Sequence, residues 1–175
     1  MLPVLGVDAD DTLWENEERF HEVEQRFRDL MVPWSGGDAT DAALLTAERE
    51  NIGRHGYGIK GFVLSMVLTA VEISDGAIDA RSLAGIVGWG HEMMAHPIEL
   101  LDGVPEALDN LGATHRLLLI TKGDLGDQLG KVEEVAYKRW EESLMLAAEA
   151  GDDECLQLLI DGKADVSAVD TNIFY

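Results

Sequence analysis

Two short apolar runs, each stopping abruptly at a polar loop, are the feature that most constrains how this chain can fold. The first extends from Leu2 to Val7, broken only by Pro3, and stops at Asp8. The second extends from Arg116 to Thr121 and stops at a polar turn. Apolar runs of this length that do not alternate with polar residues are typical of strands buried in a parallel sheet. We therefore predict two parallel strands, each placing a polar loop at its carboxyl end.

The segment between the two runs shows helical periodicity. Its apolar residues recur at three- and four-residue spacing, and no period-two segment occurs from Asn16 to His96. A strand, a block of helices and a second strand together predict an α/β fold with an inserted all-helical block. The predicted helices cover about residues 16–31, 42–52, 62–73, 80–94, 107–112 and the chain from 125 onward.

The charge balance excludes several classes of function. The chain carries 13 Lys and Arg against 34 Asp and Glu, a formal net charge of −21. This field repels phosphate backbones and anionic lipid, so we expect neither nucleic acid nor a membrane as a partner. No apolar run approaches the roughly 18 residues of a membrane span, and no signal peptide is recognisable. Cys155 is the only cysteine, which predicts a cytoplasmic location without an internal disulfide.

Asp8 and Asp10 are the clearest candidates for chemistry. They stand two residues apart at the end of the first predicted strand, so both side chains can face one crevice while Ala9 faces away. Ligand sites of open parallel sheets lie just outside such strand ends. Two neighbouring carboxylates suit a divalent cation. They also suit a division of roles in which one is an ionised nucleophile and the other a protonated acid.

The residues at both strand ends resemble the motifs of the haloacid dehalogenase-like (HAD) superfamily. Val4–Trp14 (VLGVDADDTLW) resembles its first motif, an apolar strand followed by DxDxT, and Leu117–Asp124 (LLLITKGD) resembles its second. The order and spacing of the two make the resemblance specific, and it covers residues 1–131. It implies a Rossmann-like parallel-sheet core formed by residues 1–15 and 97–131. Residues 16–96 stand where many members insert a helical cap domain.

The resemblance also implies roles for individual residues. Asp8 would be the nucleophile that forms an aspartyl-phosphate, and Asp10 would protonate the leaving oxygen and later activate water. Thr121 would hydrogen-bond the transferred phosphoryl group. The implied cofactor is Mg²⁺, held by the Asp8 carboxylate and the Asp10 backbone carbonyl.

The core implied by the resemblance is incomplete in this sequence. The superfamily also uses a cation that steadies the phosphoryl group and a further strand ending in an acidic pair, and no such strand is recognisable after Thr121. Lys131 and Lys138 are expected to be solvated surface charges on helices. The pair in Gly151-Asp152-Asp153 follows residues that favour a helix. Lys122, next to Thr121, is kept as a substrate-binding candidate.

A glycine pattern inside the helical block supplies two further candidates. Gly56–Gly61 (GYGIKG) fits the GxGxxG spacing of dinucleotide sites, but it follows a helical segment instead of a strand. We therefore interpret it as a hinge in the predicted cap. Tyr57 and Lys60 could contact a substrate there.

The C-terminal segment resembles a single ankyrin repeat. Residues 144–172 align without a gap to its first helix, turn, second helix and the loop that follows, here GKADVSAVD. One repeat cannot bury its own apolar face, so we expect this face to pack on the rest of the chain, on a second copy or on a protein partner. Residues 132–175 are accordingly predicted to be a helical, ankyrin-like segment.

Two hypotheses for function follow from these patterns. The first is an enzyme: a magnesium-dependent phosphoric monoester hydrolase of HAD type that acts on a small soluble phosphorylated substrate. The alternative is a catalytically impaired HAD-derived scaffold. In that case the ankyrin-like C-terminus would mediate protein–protein interaction or dimerisation.

Overall fold

The computed structural model describes residues 2–135 and 145–148. The chain divides into two compact units, residues 1–15 with 98–175 and residues 16–97. Among the helices of the described residues, none combines the length and apolar character that crossing a bilayer requires. The elements are, in chain order, β1 (Val4–Asp8), α1 (Glu17–Met31), α2 (Gly37–His55), α3 (Ile59–Ile73), α4 (Ala80–Met94), α5 (Val104–Gly112), β2 (Arg116–Lys122), α6 (Leu125–Val135) and β3 (Met145–Ala148).

The first unit is built on a parallel sheet of order β1-β2-β3. Strand β1 pairs with β2 in a register that sets Val4 opposite Arg116 and Asp8 opposite Ile120. Both predicted strands are therefore present, and Asp8 is the last residue of β1. Because the strands are parallel, the polar loops that follow β1 and β2 leave the sheet at the same edge. The predicted α/β class is confirmed.

Strand β3 differs from the expectation that the chain is helical from residue 125 to its end. Met145–Ala148 pairs in parallel with β2, with Leu119 opposite Met145 and Lys122 opposite Ala148. Helix propensity contributes less than about 1 kcal/mol per residue, so pairing with a neighbouring strand can override it. This strand lies on the far side of β2 from β1. The acidic pair of Gly151-Asp152-Asp153 lies outside the described residues.

The core of the sheet unit explains why the apolar run of β2 does not alternate. Leu117, Leu118, Leu119 and Ile120 are each at most 7% exposed, so both faces of the strand are covered. Helix α5 packs on the sheet through Leu108. The buried residues of this core are Ala9, Leu13, Trp14, Leu108, Leu117 and Leu119.

The second unit consists of helices α1 to α4. Helix α3 packs against both α2 and α4, and α1 contacts α2 and α4. Inside it, Asn51 of α2 donates a hydrogen bond to the hydroxyl of Ser65 of α3 at 2.9 Å, which satisfies both buried polar groups. Its core contains Val23, Phe27, Met31, Leu44, Ile59, Phe62, Met66, Ala70, Ile78, Ile86 and Met93.

The glycine pattern of the second unit forms the connection between α2 and α3. Gly56 ends α2 with φ +69°, and Gly58 precedes α3 with φ +114°. Both angles favour glycine because a Cβ atom would be strained there. The pattern is a turn that directly follows a helix instead of a strand, and the hinge interpretation stays a prediction.

Gly90 provides a test of the packing between α3 and α4. A Cβ atom at Gly90 would clash with Cγ2 of Val63, and a β-branched side chain has little freedom to move away. We expect Gly90→Ala to lower the free energy of unfolding by about 1–3 kcal/mol, measured by urea denaturation. Gly88→Ala is the matched control, because nothing lies within 4 Å of its new Cβ. Equal stability of the two variants would contradict this packing.

The pH dependence of stability tests the partly buried environment of Glu48. Burial, followed by repulsion from Glu24, raises the pKa of Glu48 above its usual value. A raised pKa in the folded state favours folding at low pH, and this contribution is lost as the pH rises through the folded pKa. Glu48→Gln should therefore raise Tm at pH 7 but leave it unchanged below about pH 4, where the glutamate is protonated in the unfolded chain. The exposed Glu50→Gln serves as control, and an equal gain from it would refute the interpretation.

Candidate active site

At the end of β1, a buried alanine stands between two aspartates that are more accessible. Ala9 is fully buried in the core of the sheet unit, whereas the neighbouring Asp8 is exposed and Asp10 is half-buried. Thr12 Oγ1 donates a hydrogen bond to Asp8 Oδ2 at 3.0 Å. The strand end therefore directs Ala9 into the core and leaves the two carboxylates on the side of the loop.

A tight turn after β1 fixes Asp10. The backbone N–H groups of Thr12 and Leu13 donate to the carbonyl oxygen of Ala9 at 3.1 and 2.8 Å. Asp11 adopts φ +59°, a left-handed conformation that aspartate tolerates better than most residues. The turn places the indole of the fully buried Trp14 next to Asp10, and its Nε1 donates to Asp10 Oδ1 at 2.8 Å.

The loop after β2 places a second set of polar groups at the same edge of the sheet. Thr121 is 1% exposed. Gly123 then turns the chain with φ +139°, and the Asp124 carboxylate accepts a hydrogen bond from the Asp127 N–H at the start of α6. One turn into α6 stands Gln128, 2% exposed.

The two loops meet at the Asp10 carboxylate. Gln128 Nε2 donates to Asp10 Oδ2 at 3.0 Å, and Gln128 Oε1 accepts a hydrogen bond from Thr121 Oγ1 at 3.1 Å. Lys131 Nζ donates to Asp10 Oδ1 at 3.0 Å. We call Asp10, Trp14, Thr121, Gln128 and Lys131 the Asp10 cluster. The structure thus connects the predicted site residues Asp10 and Thr121 through a side chain that the sequence analysis did not single out.

The expectation that Lys131 is a solvated surface charge is wrong. Its ammonium group lies 3.0 Å from the Asp10 carboxylate and 3.4 Å from that of Asp127, and the residue is only 7% exposed. Lys131 follows Gln128 by three residues, so both occupy one face of α6, and the fold places that face over the end of β1. The i, i+4 spacing of Asp127 and Lys131 was the only local signal of a paired lysine.

The remaining candidates are placed as follows. Lys122 is the last residue of β2, and its side chain is outside the described part of the structure. Lys138 is outside the described residues. Tyr57 and Lys60 lie in the helical unit, at the glycine turn and in the first turn of α3, and both are exposed. Their part in binding stays a prediction.

The donors at the end of β1 fit a magnesium ion in part. The Asp8 carboxylate and the Asp10 backbone carbonyl offer hard oxygen atoms, and proteins often hold Mg²⁺ with one or two carboxylates plus water and substrate phosphate. Within residues 2–135 and 145–148 there is no group of three His, Cys, Asp or Glu side chains that could enclose a metal. The described residues thus offer the Asp8 carboxylate and the Asp10 carbonyl as two oxygen donors for the ion.

Comparison with solved structures identifies the family. A haloacid dehalogenase-like family hydrolase from Xanthomonas campestris is 31% identical, with a TM-score of 0.83 over 95% of this chain and 70% of that one. The chain belongs to the haloacid dehalogenase-like hydrolase family. No curated protein matches it in sequence.

More distant structures share the fold. One is described as a predicted phosphoglycolate phosphatase from Haemophilus somnus, with 12% identity and a TM-score of 0.53 over 95% of this chain and 74% of that one. Another is a HAD hydrolase from Bacillus subtilis described as bound to magnesium, with 13% identity and a TM-score of 0.52 over 82% and 65% of the two chains. Others are named as haloacid dehalogenases.

A family model also matches the C-terminal segment. Residues 143–171 match the ankyrin repeat. The strand β3, Met145–Ala148, lies inside this match, where the repeat resemblance predicts a helix. The segment thus has the sequence of an ankyrin repeat, and its described residues pair with the hydrolase sheet.

The stability of a Lys131 variant tests the ion pairs of this lysine with Asp10 and Asp127. Removing the ammonium group by Lys131→Met leaves the half-buried carboxylates of Asp10 and Asp127 without the cation that they share. We expect the free energy of unfolding in urea to fall by up to about 3 kcal/mol at pH 7. The same change at the exposed Lys60 should cost less than about 0.5 kcal/mol. If Lys131→Met and Lys60→Met lowered the free energy of unfolding equally, the ion pair between Lys131 and Asp10 would contribute nothing to stability.

Proposed function

We propose that this protein is a magnesium-dependent phosphoric monoester hydrolase acting on a small soluble phosphorylated substrate. The observation that carries the proposal is the convergence of Asp8, Asp10 and Thr121 at one edge of a parallel sheet, in a chain of the HAD hydrolase family. An edge with carboxylate and hydroxyl groups where the strands end is where open α/β sheets bind ligands.

Each residue has a separate task in the proposed reaction. An Asp8 carboxylate oxygen attacks phosphorus, which forms an aspartyl-phosphate and breaks the bond to the ester oxygen. Asp10 gives a proton to that leaving oxygen and then takes one from the water that hydrolyses the intermediate. Thr121 contributes its hydroxyl to the phosphoryl oxygens. The exposed position of Asp8 at the end of β1 supports its choice as the nucleophile.

The second carboxylate favours phosphoryl transfer over dehalogenation. Displacement of a halide releases an anion that needs no proton, whereas an alkoxide leaving group is stabilised by a proton from a neighbouring acid. Asp10 stands two residues from Asp8, and three donors hold it in place. A second carboxyl group this close to the nucleophile supports the reaction that requires a proton donor.

Positive charge is needed at this edge because the chain carries a formal net charge of −21. Magnesium, when bound by the Asp8 carboxylate and the Asp10 carbonyl, would neutralise charge on the phosphoryl oxygens. A magnesium-bound neighbour of the same fold supports this choice of metal. Lys131 adds a fixed cation beside Asp10.

Substrate selection is proposed to reside in the helical segment, residues 16–96, acting as a cap. Tyr57 and Lys60 are the proposed substrate contacts there, because both are exposed at the glycine turn that joins α2 and α3. Lys60 would also supply a positive charge for a phosphorylated substrate. Lys122, at the end of β2, is a further proposed contact to the phosphate.

A second function is supported by the ankyrin match at residues 143–171. Isolated repeats do not bury their apolar face, so we propose that this segment contacts a protein partner or a second copy of the chain. In the alternative form of the proposal the catalytic core is impaired and this contact is the main function. A cytoplasmic location, inferred from the single cysteine, suits either form.

Phosphate release tests the proposed reaction. We expect hydrolysis of an aryl phosphate that requires Mg²⁺, stops with a chelator and falls at least about 1,000-fold in Asp8→Asn, because the amide cannot attack phosphorus. Asp109→Asn on the exposed side of α5 is the control and should retain full activity.

The opposite result has an equally definite meaning. A chain that unfolds cooperatively but releases no phosphate would refute the hydrolase and favour the scaffold. Sedimentation or size-exclusion mass then decides the role of the repeat, since a strict monomer excludes pairing of two copies through it.

A further inference from the structure

Gln128 is the residue of the Asp10 cluster that bonds to both Asp10 and Thr121. It is 2% exposed, and both ends of its amide are used: Nε2 donates to Asp10 Oδ2 and Oε1 accepts from Thr121 Oγ1. These two bonds span the loops that follow β1 and β2. We propose that Gln128 is a positioning residue that fixes the Asp10 carboxylate and the Thr121 hydroxyl relative to each other. This inference rests on the proposed hydrolase function.

The direction of each bond follows from the chemistry of the groups. An ionised carboxylate only accepts hydrogen bonds, so the amide nitrogen must face Asp10 and the amide oxygen must face Thr121. The single hydroxyl proton of Thr121 then points at Gln128. Gln128 therefore holds the Thr121 oxygen at a fixed distance from Asp10, and the hydroxyl turns its proton to a phosphoryl oxygen when the proposed substrate binds.

The residue types closest to glutamine in size or chemistry do not satisfy both partners at this position. Glutamate would place a second negative charge against Asp10 and has no proton to donate when ionised. Methionine would fill the same space but leave the facing polar atoms of Asp10 and Thr121 without this bond. Asparagine is one methylene too short to span the two groups.

The backbone of the loop after β2 lies close to the side-chain amide of Gln128. Gly123 adopts φ +139°, and a Cβ atom there would lie 3.0 Å from Gln128 Nε2. A side chain at Gly123 would therefore be strained and would also press on the atom that donates to Asp10. This close approach is independent of the hydrogen bonds and shows that the backbone leaves room for Gln128.

A double-mutant cycle on catalysis tests the role. With an aryl phosphate and Mg²⁺, Gln128→Met should lower kcat/KM about 10- to 100-fold, mainly through kcat, with KM changing less than about threefold. Thr121→Val should show a similar loss. The combined loss in the double variant should be smaller than the product of the two single losses, because Gln128 acts in part through Thr121. Gln128→Glu, although isosteric, should lose at least as much as Gln128→Met.

Two controls separate positioning from a general loss of structure. Gln25→Met on the exposed face of α1 is the matched change and should leave kcat/KM within about twofold of the unsubstituted protein. Thermal unfolding of the same cycle should give Tm shifts for Gln128→Met and Thr121→Val that do not add, which reports the hydrogen bond without any turnover.

Each contrary result is decisive. Single effects on kcat/KM that multiply in the double variant, or a loss confined to KM, would overturn the positioning role. Tm shifts that add would show that Gln128 and Thr121 are not coupled. Absence of turnover in the unsubstituted protein would reject the proposed function and this inference with it, while the Tm cycle would still show whether the bond exists.

Discussion

The Asp10 carboxylate is the group on which the arrangement of the candidate site depends. It accepts hydrogen bonds from Trp14, Gln128 and Lys131, which belong to the turn after β1 and to helix α6. A half-buried carboxylate needs such donors because desolvation without them costs several kcal/mol. Satisfying Asp10 therefore fixes α6 over the end of β1, and Gln128 of α6 links it to Thr121 at the end of β2.

The same cluster places positive charge in an acidic protein. With a formal net charge of −21, most surfaces of this chain repel a phosphorylated substrate. Lys131 is held beside Asp10 and Asp127, where a low local dielectric makes its charge more effective than on the surface. A bound magnesium ion would add to it. The carboxylates of Asp8, Asp10 and Asp127 still outnumber this one cation, so the proposed magnesium ion would supply the remaining positive charge.

Much of the fold could be predicted from the sequence because its signals are local. The unbroken apolar runs of β1 and β2 and the three- and four-residue spacing in α1 to α4 each follow from burial of one segment. Strand β3 could not be predicted, because Met145–Ala148 has helix-forming residues and the sequence of an ankyrin repeat. Its state was decided by pairing with β2, a contact between distant segments.

The sequence by itself determined which residues stand at the strand ends: an apolar run fixes where a strand stops, so Asp8, Asp10 and Thr121 could be singled out by position. Only the tertiary structure decided which side chains surround them. Gln128 and Lys131 lie more than 100 residues from Asp10 along the chain, as the sequence numbers show, and on α6 they look like ordinary polar helix residues. They became part of the site because parallel pairing of β1 and β2 brings the ends of both strands to one edge of the sheet. The half-buried Asp10 carboxylate is then stabilised by hydrogen-bond donors that lie close to it.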